Sequence, residues 1–214
     1  SGNKYRFDDF GTSAVTLDLA EGGSYVFDLS DSSNDGHPMK FSTTANGSHG
    51  GGSTYSTGVT YELDGVGKTE SEYVSGFNAA SSRLLKITVA ASAPTLYYFC
   101  HYHSGMGGAI NTNATLGSSN FDGGIQAVVK ANPTAGFSMT RWIGTNGNGT
   151  VGHGLGVAPK MVIIRRRPSS SSWVVYHAEV GNTKRLILDE NYAQSSASAN
   201  WFNNTSPTST AIYL

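Results

Sequence analysis

The stretch that constrains this chain most runs from Thr95 to Ala109. Thr95-Leu-Tyr-Tyr-Phe99 is an apolar, aromatic run that reads as a strand. It leads into Cys100-His-Tyr-His-Ser-Gly-Met-Gly-Gly-Ala109, and Cys100 is the one cysteine of the chain. A thiol at Cys100, an imidazole at His103 and a thioether at Met106 thus share one short loop. Far upstream stands a second imidazole, His37, in Gly36-His37-Pro38, just before a further strand-like run at 39–43. The two strands must lie side by side if these four groups are to meet.

One thiolate, two imidazoles and a thioether are the donors of a type 1 copper site. Such a site wants a trigonal plane of sulfur and two nitrogens, with the thioether weakly bound on the axis. Three donors on one tight loop fix most of that geometry, and a fourth from a neighbouring strand lets a rigid sheet clamp the ion. The candidate metal ligands are therefore His37, Cys100, His103 and Met106. The competing reading of a lone cysteine is a small buried hydrophobe; its place at a strand end beside two imidazoles favours a ligand. By strand alternation His101 faces away, at the surface, and His49 lies exposed in a Gly-rich loop.

Cys-x2-His-x2-Met after an aromatic strand, with an upstream His on another strand, resembles the cupredoxins, at their shortest loop length. Lys4–Gly108 also resembles cupredoxin-like modules of marine bacteriophage virion proteins. The phrases that carry this are Ser30-Asp-Ser-Ser-Asn-Asp-Gly-His-Pro38, Phe41-Ser-Thr-Thr44, Gly47-Ser-His-Gly-Gly-Gly52, Ala93-Pro-Thr-Leu-Tyr-Tyr98 and His103-Ser-Gly-Met-Gly-Gly108. The resemblance implies a Greek-key sandwich and a copper cofactor. It has one departure. Many cupredoxins place Asn after the upstream His, where the side chain pins the ligand loop. This chain has Pro38, which offers neither an amide hydrogen nor a side-chain donor. Groups of that kind orient the ligands, so the change bears on affinity and redox tuning.

Alternating apolar residues and turn clusters place the rest. They predict strands at 4–7, 14–19, 24–29, 39–43, 83–89 and 95–100, with strand or extended loop at 55–63. Glu21-Gly22-Gly23 reads as a hairpin turn, and 64–82 is polar and ambiguous. A second pattern follows, with strands at 137–143, 160–165, 173–177, 184–189 and 210–214; Pro168 and four serines separate two of these. The organisation expected is an N-terminal Greek-key cupredoxin-like sandwich over 1–110 and a linker or opening strand over 111–135. A second β-rich domain, sandwich- or jelly-roll-like, would fill 136–214 and continue past Leu214 in the natural protein. All of this is an all-β chain. The second half also resembles a β-rich module of phage tail and virion proteins, through Gly149-Thr-Val-Gly-His-Gly-Leu-Gly-Val-Ala-Pro-Lys-Met161, Trp173-Val-Val-Tyr-His177, Lys184-Arg-Leu-Ile-Leu188 and Thr205-Ser-Pro-Thr-Ser209.

Charge narrows the partners. A formal net charge of −1 over 214 residues gives no electrostatic reason for nucleic acid or an anionic membrane, and no apolar stretch nears the ~20 residues that span a bilayer. A single Cys excludes an intrachain disulfide. Arg165-Arg166-Arg167 reads as a solvated strand end, with an acidic neighbour or glycan phosphate as the minority reading. Asp28, Asp31 and Asp35 lack calcium-loop spacing and read as turn residues. Trp142, Trp173 and Trp201 could stack on sugars, but no carboxylate pair accompanies them, so an enzyme is not expected. His153 reads as a turn histidine held by backbone, and His177 as a strand cap. The expectation is a virion or extracellular structural component, a tail fibre, spike or capsid decoration. Its partners would be other virion subunits, a homo-oligomer, and a host-surface receptor or glycan. The competing expectation is a soluble electron carrier.

Overall fold

A computed structural model describes residues 2–112, 117–167, 170–194 and 199–214. The chain divides into two compact units, Ser1–Ser118 and Ser119–Leu214. The segment 111–135, expected as linker or opening strand, contains two strands, Ser118–Asn120 and Ala127–Asn132. The second of these carries core residues: Ala127 and Val129 are buried, as the short alternation at 125–130 requires. Residues 113–116 lie outside the described ones.

The first unit holds β1 (Leu17–Asp18), β2 (Ser24–Asp28), β3 (Met39–Ser42), β4 (Val59–Leu63), β5 (Val66–Lys68), α1 (Glu70–Gly76), β6 (Arg83–Thr88), β7 (Leu96–Cys100) and β8 (Gly108–Asn111). Two four-stranded sheets form, in the orders β1-β8-β7-β3 and β2-β6-β4-β5. All pairings are antiparallel except β1 with β8. Phe27 of one sheet meets Phe41 of the other edge-on, ring centroids 5.3 Å apart, so the sheets face one another across an aromatic core. Tyr73, Tyr98, Phe41 and Phe77 are fully buried in it, and Phe99, on the opposite face of β7 beside Lys40 and His49, is fully buried as well. Each contributes about 1.5–3 kcal/mol on apolar burial alone.

Three expectations need correction here. Residues 4–7 are not a strand, yet they are tied down: the Tyr5 amide donates to the Met106 carbonyl at 3.1 Å and the Tyr5 carbonyl accepts from Ala14 at 2.8 Å. The turn at Glu21-Gly22-Gly23 exists, with Gly22 at φ +76°, but it is no hairpin, because β1 pairs with β8 and β2 with β6. The ambiguous 64–82 contains α1, opened by a reciprocal capping box between Thr69 and Glu72. That box, Thr-x-x-Glu, was present in the sequence. Tyr73 anchors the helix in the core.

The second unit holds β9 (Ser118–Asn120), β10 (Ala127–Asn132), β11 (Phe137–Trp142), β12 (Thr150–Gly152), β13 (Met161–Ile164), β14 (Val174–His177), β15 (Leu186–Ile187), α2 (Ala199–Phe202) and β16 (Ala211–Tyr213). It forms three small sheets, β11-β10-β9, β12-β16 and β13-β14-β15. Two small clusters replace one large core. Ala127, Val129, Val151 and Ile212 make the first; Val174, Tyr176 and Phe202 make the second. Val162 and Ile164 of β13 pack against both. Pro168 and Ser169, of the proline-and-serine stretch expected to separate two strands, lie outside the described residues.

Candidate metal centre

Strand register assembles the centre. In the antiparallel β3–β7 pair, Met39 lies opposite Cys100 and Phe41 opposite Tyr98. The ladder gains one more rung when the His101 amide donates to the Pro38 carbonyl at 2.9 Å. Pro38 therefore serves as an acceptor, a role its missing N–H does not affect. One position further out, His37 arrives beside Cys100. A slip of one residue would turn Cys100 to the opposite face of the sheet.

The other imidazole comes from the β7–β8 connection, residues 101–107. Cys100 Sγ lies 3.5 Å from His103 Nδ1 and 3.7 Å from His37 Nδ1, and the two Nδ1 atoms are 3.0 Å apart. A point about 2.0 Å from all three atoms exists at the centre of that triangle, beside typical zinc–nitrogen lengths of about 2.0–2.1 Å and zinc–thiolate lengths of about 2.3 Å. These three residues thus form a group with the reach and the donors to hold a metal ion. Cys100 is fully buried, His37 half-buried and His103 exposed, so the sulfur sits inward behind the two rings. Met106, from the same loop, is buried at 4% exposure.

Electrostatics keep the His37 nitrogen available. Burial, and then the charge of His103 close by, hold the His37 imidazole below its ordinary protonation range. Two protonated rings at this separation would repel, so the geometry favours unprotonated Nδ1 atoms, the form that binds a metal. The Asn3 amide meets His37 Nε2 at 3.4 Å. Turned over, it offers Oδ1 to an Nε2–H, the tautomer that leaves Nδ1 free for a metal.

Residues the sequence reading did not single out hold the loop. Asn46 does most of this work from the turn after β3, in a left-handed conformation at φ +62°. Its Oδ1 accepts from the Gly105 amide at 2.7 Å, and its Nδ2 donates to Ser104 Oγ at 2.8 Å. The Lys4 ammonium donates to the Gly105 carbonyl. Tyr5 holds the carbonyl of Met106 through its amide and that of His37 through its hydroxyl, the latter at 2.7 Å. Burial and the adjacent Cys100 sulfur push the Tyr5 phenol far up, so it stays a neutral donor. Gly107 cannot be replaced, since a Cβ there would overlap the Tyr98 carbonyl oxygen.

The approach to His37 is fixed as firmly. Arg83 is 3% exposed. It donates to Asp35 at 2.6 Å and to the carbonyls of Ser30 and Asp31 at 2.9 and 3.1 Å, and it stacks on Phe77. Asp28 and Asp31 are turn residues, as expected, each accepting a backbone amide two positions on. The hydroxyls of Ser30 and Ser33, and then these amides, hold both carboxyls below the usual range.

Of the two histidines expected at the surface, one is there and one is not. His49 is exposed but anchored, with Nε2 3.1 Å from the Cys100 carbonyl. His101 is half-buried rather than a surface group, and its Nδ1 is buried without a hydrogen-bond partner. Burial, then Lys40, lower its protonation range. His153 behaves as the sequence indicated: it is buried, accepts from the Leu155 amide and faces the Thr208 carbonyl, each at 3.2 Å. His177, at the end of β14, accepts from the Glu179 amide at 3.3 Å.

Residues 110–214 match a domain family of unknown function, DUF7483. The match lies outside the His37–Cys100–His103 group. No curated protein matches the chain. Among the described residues, no helix is long and apolar enough to cross a membrane.

Proposed function

We propose that the chain is a structural and interaction component of a phage virion appendage, whose first unit carries a type 1-like copper site. The observation that supports the metal reading is the triangle of Cys100 Sγ, His37 Nδ1 and His103 Nδ1 around one point at bonding reach. Sulfur plus two imidazoles suits copper in both of its common oxidation states. His37, Cys100 and His103 would hold the ion, with Met106 as a fourth, weaker donor. Copper, when bound, would supply reversible one-electron chemistry. The chain's own residues orient the imidazoles, bury the sulfur and pin the loop. The appendage reading rests on the resemblances of both halves to virion modules. It assigns the metal the part of a clip that locks residues 37 and 100–106 together. Other virion subunits or further copies of this chain, and a host-surface receptor or glycan, are the partners it implies.

The test is elemental analysis of the purified chain with copper titration and solution mass. One copper per chain, an intense blue colour and an assembly larger than one chain are the outcomes expected. A colourless protein after copper addition defeats the metal reading, and a strict monomer that never joins particles defeats the appendage. Electron transfer is the second reading, favoured by the exposure of His103, through which an electron could leave. Ser104, Gly105, Gly107 and Gly108 around it offer little apolar docking area. Rapid reversible titration against a redox partner would promote it.

A further inference from the structure

An open cleft of about 460 Å³ lies in the second unit, within the range of small-ligand sites, about 300–1,000 Å³. Thr140 and Trp142 of β11 line it, with Ile163 of β13 and the following Arg165, Arg167 and Trp173. Trp142 packs against the Val151 cluster and so belongs to the framework of the unit. Trp173 is 39% exposed. The Arg165 guanidinium lies over its ring, 4.9 Å from the centroid, which holds that charge at the cleft.

Neither arginine is in an ion pair among the described residues, and Asp189, which accepts from the Trp173 backbone amide at 2.9 Å, is an acidic group beside the cleft. The three ion pairs among the described residues all lie in the first unit. From residue 119 onward the sequence has eight Lys and Arg against four Asp and Glu, so the field here is positive although the whole chain is not. A suitable ligand offers an apolar ring face to indole, hydroxyls to Thr140 and an anionic group to a planar guanidinium fork. An acidic sugar has all three. A nucleic-acid strand would call for a track of cations along successive phosphates, and the cleft itself is lined by two, Arg165 and Arg167.

We propose that this cleft binds an anionic pyranose, a uronic acid or sulfated sugar. Arg165 and Arg167 take the carboxylate or sulfate, and Trp173 takes the ring. This rests on the reading of the chain as an interaction protein, gives its glycan contact a place and a charge, and makes no use of the metal centre.

The full chain is titrated at low ionic strength by calorimetry and tryptophan fluorescence. The probes are tetragalacturonate, its methyl ester, a heparin tetrasaccharide, inorganic sulfate and a thymidine decanucleotide. Saturable binding of at least one acidic tetrasaccharide is expected, with the methyl ester about tenfold or more weaker than the free acid if tetragalacturonate binds. Trp173→Ala should remove binding. The Arg165→Gln/Arg167→Gln double variant should lose about tenfold or more. All these positions are exposed, and an unchanged melting temperature verifies folding. The single Arg167→Gln variant, expected to lose part of the affinity, serves if the double variant misfolds. The proposal is overturned if neither acidic tetrasaccharide saturates, if ester and acid bind alike, if sulfate alone saturates as tightly, or if the variants bind as the parent does. Tighter binding of the decanucleotide overturns it in favour of nucleic acid. Copper stoichiometry on the same samples separates the two readings: it should be the same in the variants as in the parent chain, and a parent chain that binds sugar but no copper would sink the metal centre alone.

Discussion

The two units solve the problem of rigidity differently. Of the twelve largest fully buried side chains, eleven belong to the first unit, and Val151 alone to the second. The first unit surrounds its ligand frame with Tyr73, Tyr98, Phe41, Phe77 and Phe99, and all three described ion pairs lie there. The second spreads its apolar residues over two small clusters and leaves Phe137, Met139, Ile143 and Met161 exposed. Their charges oppose as well: six basic and eleven acidic residues up to position 118, eight basic and four acidic after it. A metal triangle with sides of 3.0–3.7 Å needs neighbours that cannot shift, and a deep close-packed core supplies them. A surface that meets a partner has no such need.

The comparison breaks most sharply at the thiol. Cys100→Ser should weaken copper binding by more than about a hundredfold, beyond the 10–100-fold typical of lost supporting contacts, and leave the second unit's melting unchanged. Unaltered stoichiometry by calorimetry would show that the sulfur is not a ligand. Next, copper at about a thousandfold excess over Kd should stabilise the first unit by about 4 kcal/mol, or about 10–20 °C in its scanning-calorimetry transition. A shift of equal size in both transitions would rule out a local site.

Core truncation sharpens the contrast in packing. Leu85→Ala, at a fully buried position, should cost about 2–5 kcal/mol in the first unit's denaturant midpoint. Val129→Ala, at 9% exposure, should cost the second unit less, about 1–2 kcal/mol by lost burial. Asn46→Ala should lower copper affinity about 10–100-fold with little change in fold; unchanged affinity would mean that Lys4 and Tyr5 hold the loop without it.

The smallest effect is on acid stability. Burial raises the Glu70 carboxyl, but Lys40 at 2.7 Å, then Thr54 and His101, outweigh it and leave it below its ordinary value. Its contribution is therefore complete above about pH 4.3–4.5 and is lost as pH falls through the lowered native value. The first unit's melting temperature should drop in that window, and Glu70→Gln should blunt the drop.

Much of the first unit was legible because its strands alternate. The runs at 24–29, 83–89 and 95–100 became β2, β6 and β7 with ends moved by a residue or so. The grouping of His37, Cys100 and His103 was legible because residue type and loop spacing mark them as possible donors. The supports were not. Asn46, Lys4 and Arg83 act across gaps of 48 to 101 residues, and no local pattern reports such pairings. The helix α1 escaped for a different reason: it buries Tyr73 within a short polar segment, so its capping box was the main clue. Residues 4–7 alternate like a strand but take their hydrogen bonds from Met106 and Ala14 instead of a ladder.

Asn46 adopts a left-handed backbone that Gly, Asn and Asp tolerate best, and of these only Asn offers both an amide donor and an amide acceptor. It stands nine positions after His37 and immediately before Gly47. A chain that kept the Cys-x2-His-x2-Met loop but replaced this Asn would keep its donors and lose their alignment. The more telling fingerprint for finding genes with a working site of this design is thus a composite one, a His followed at that interval by Asn-Gly.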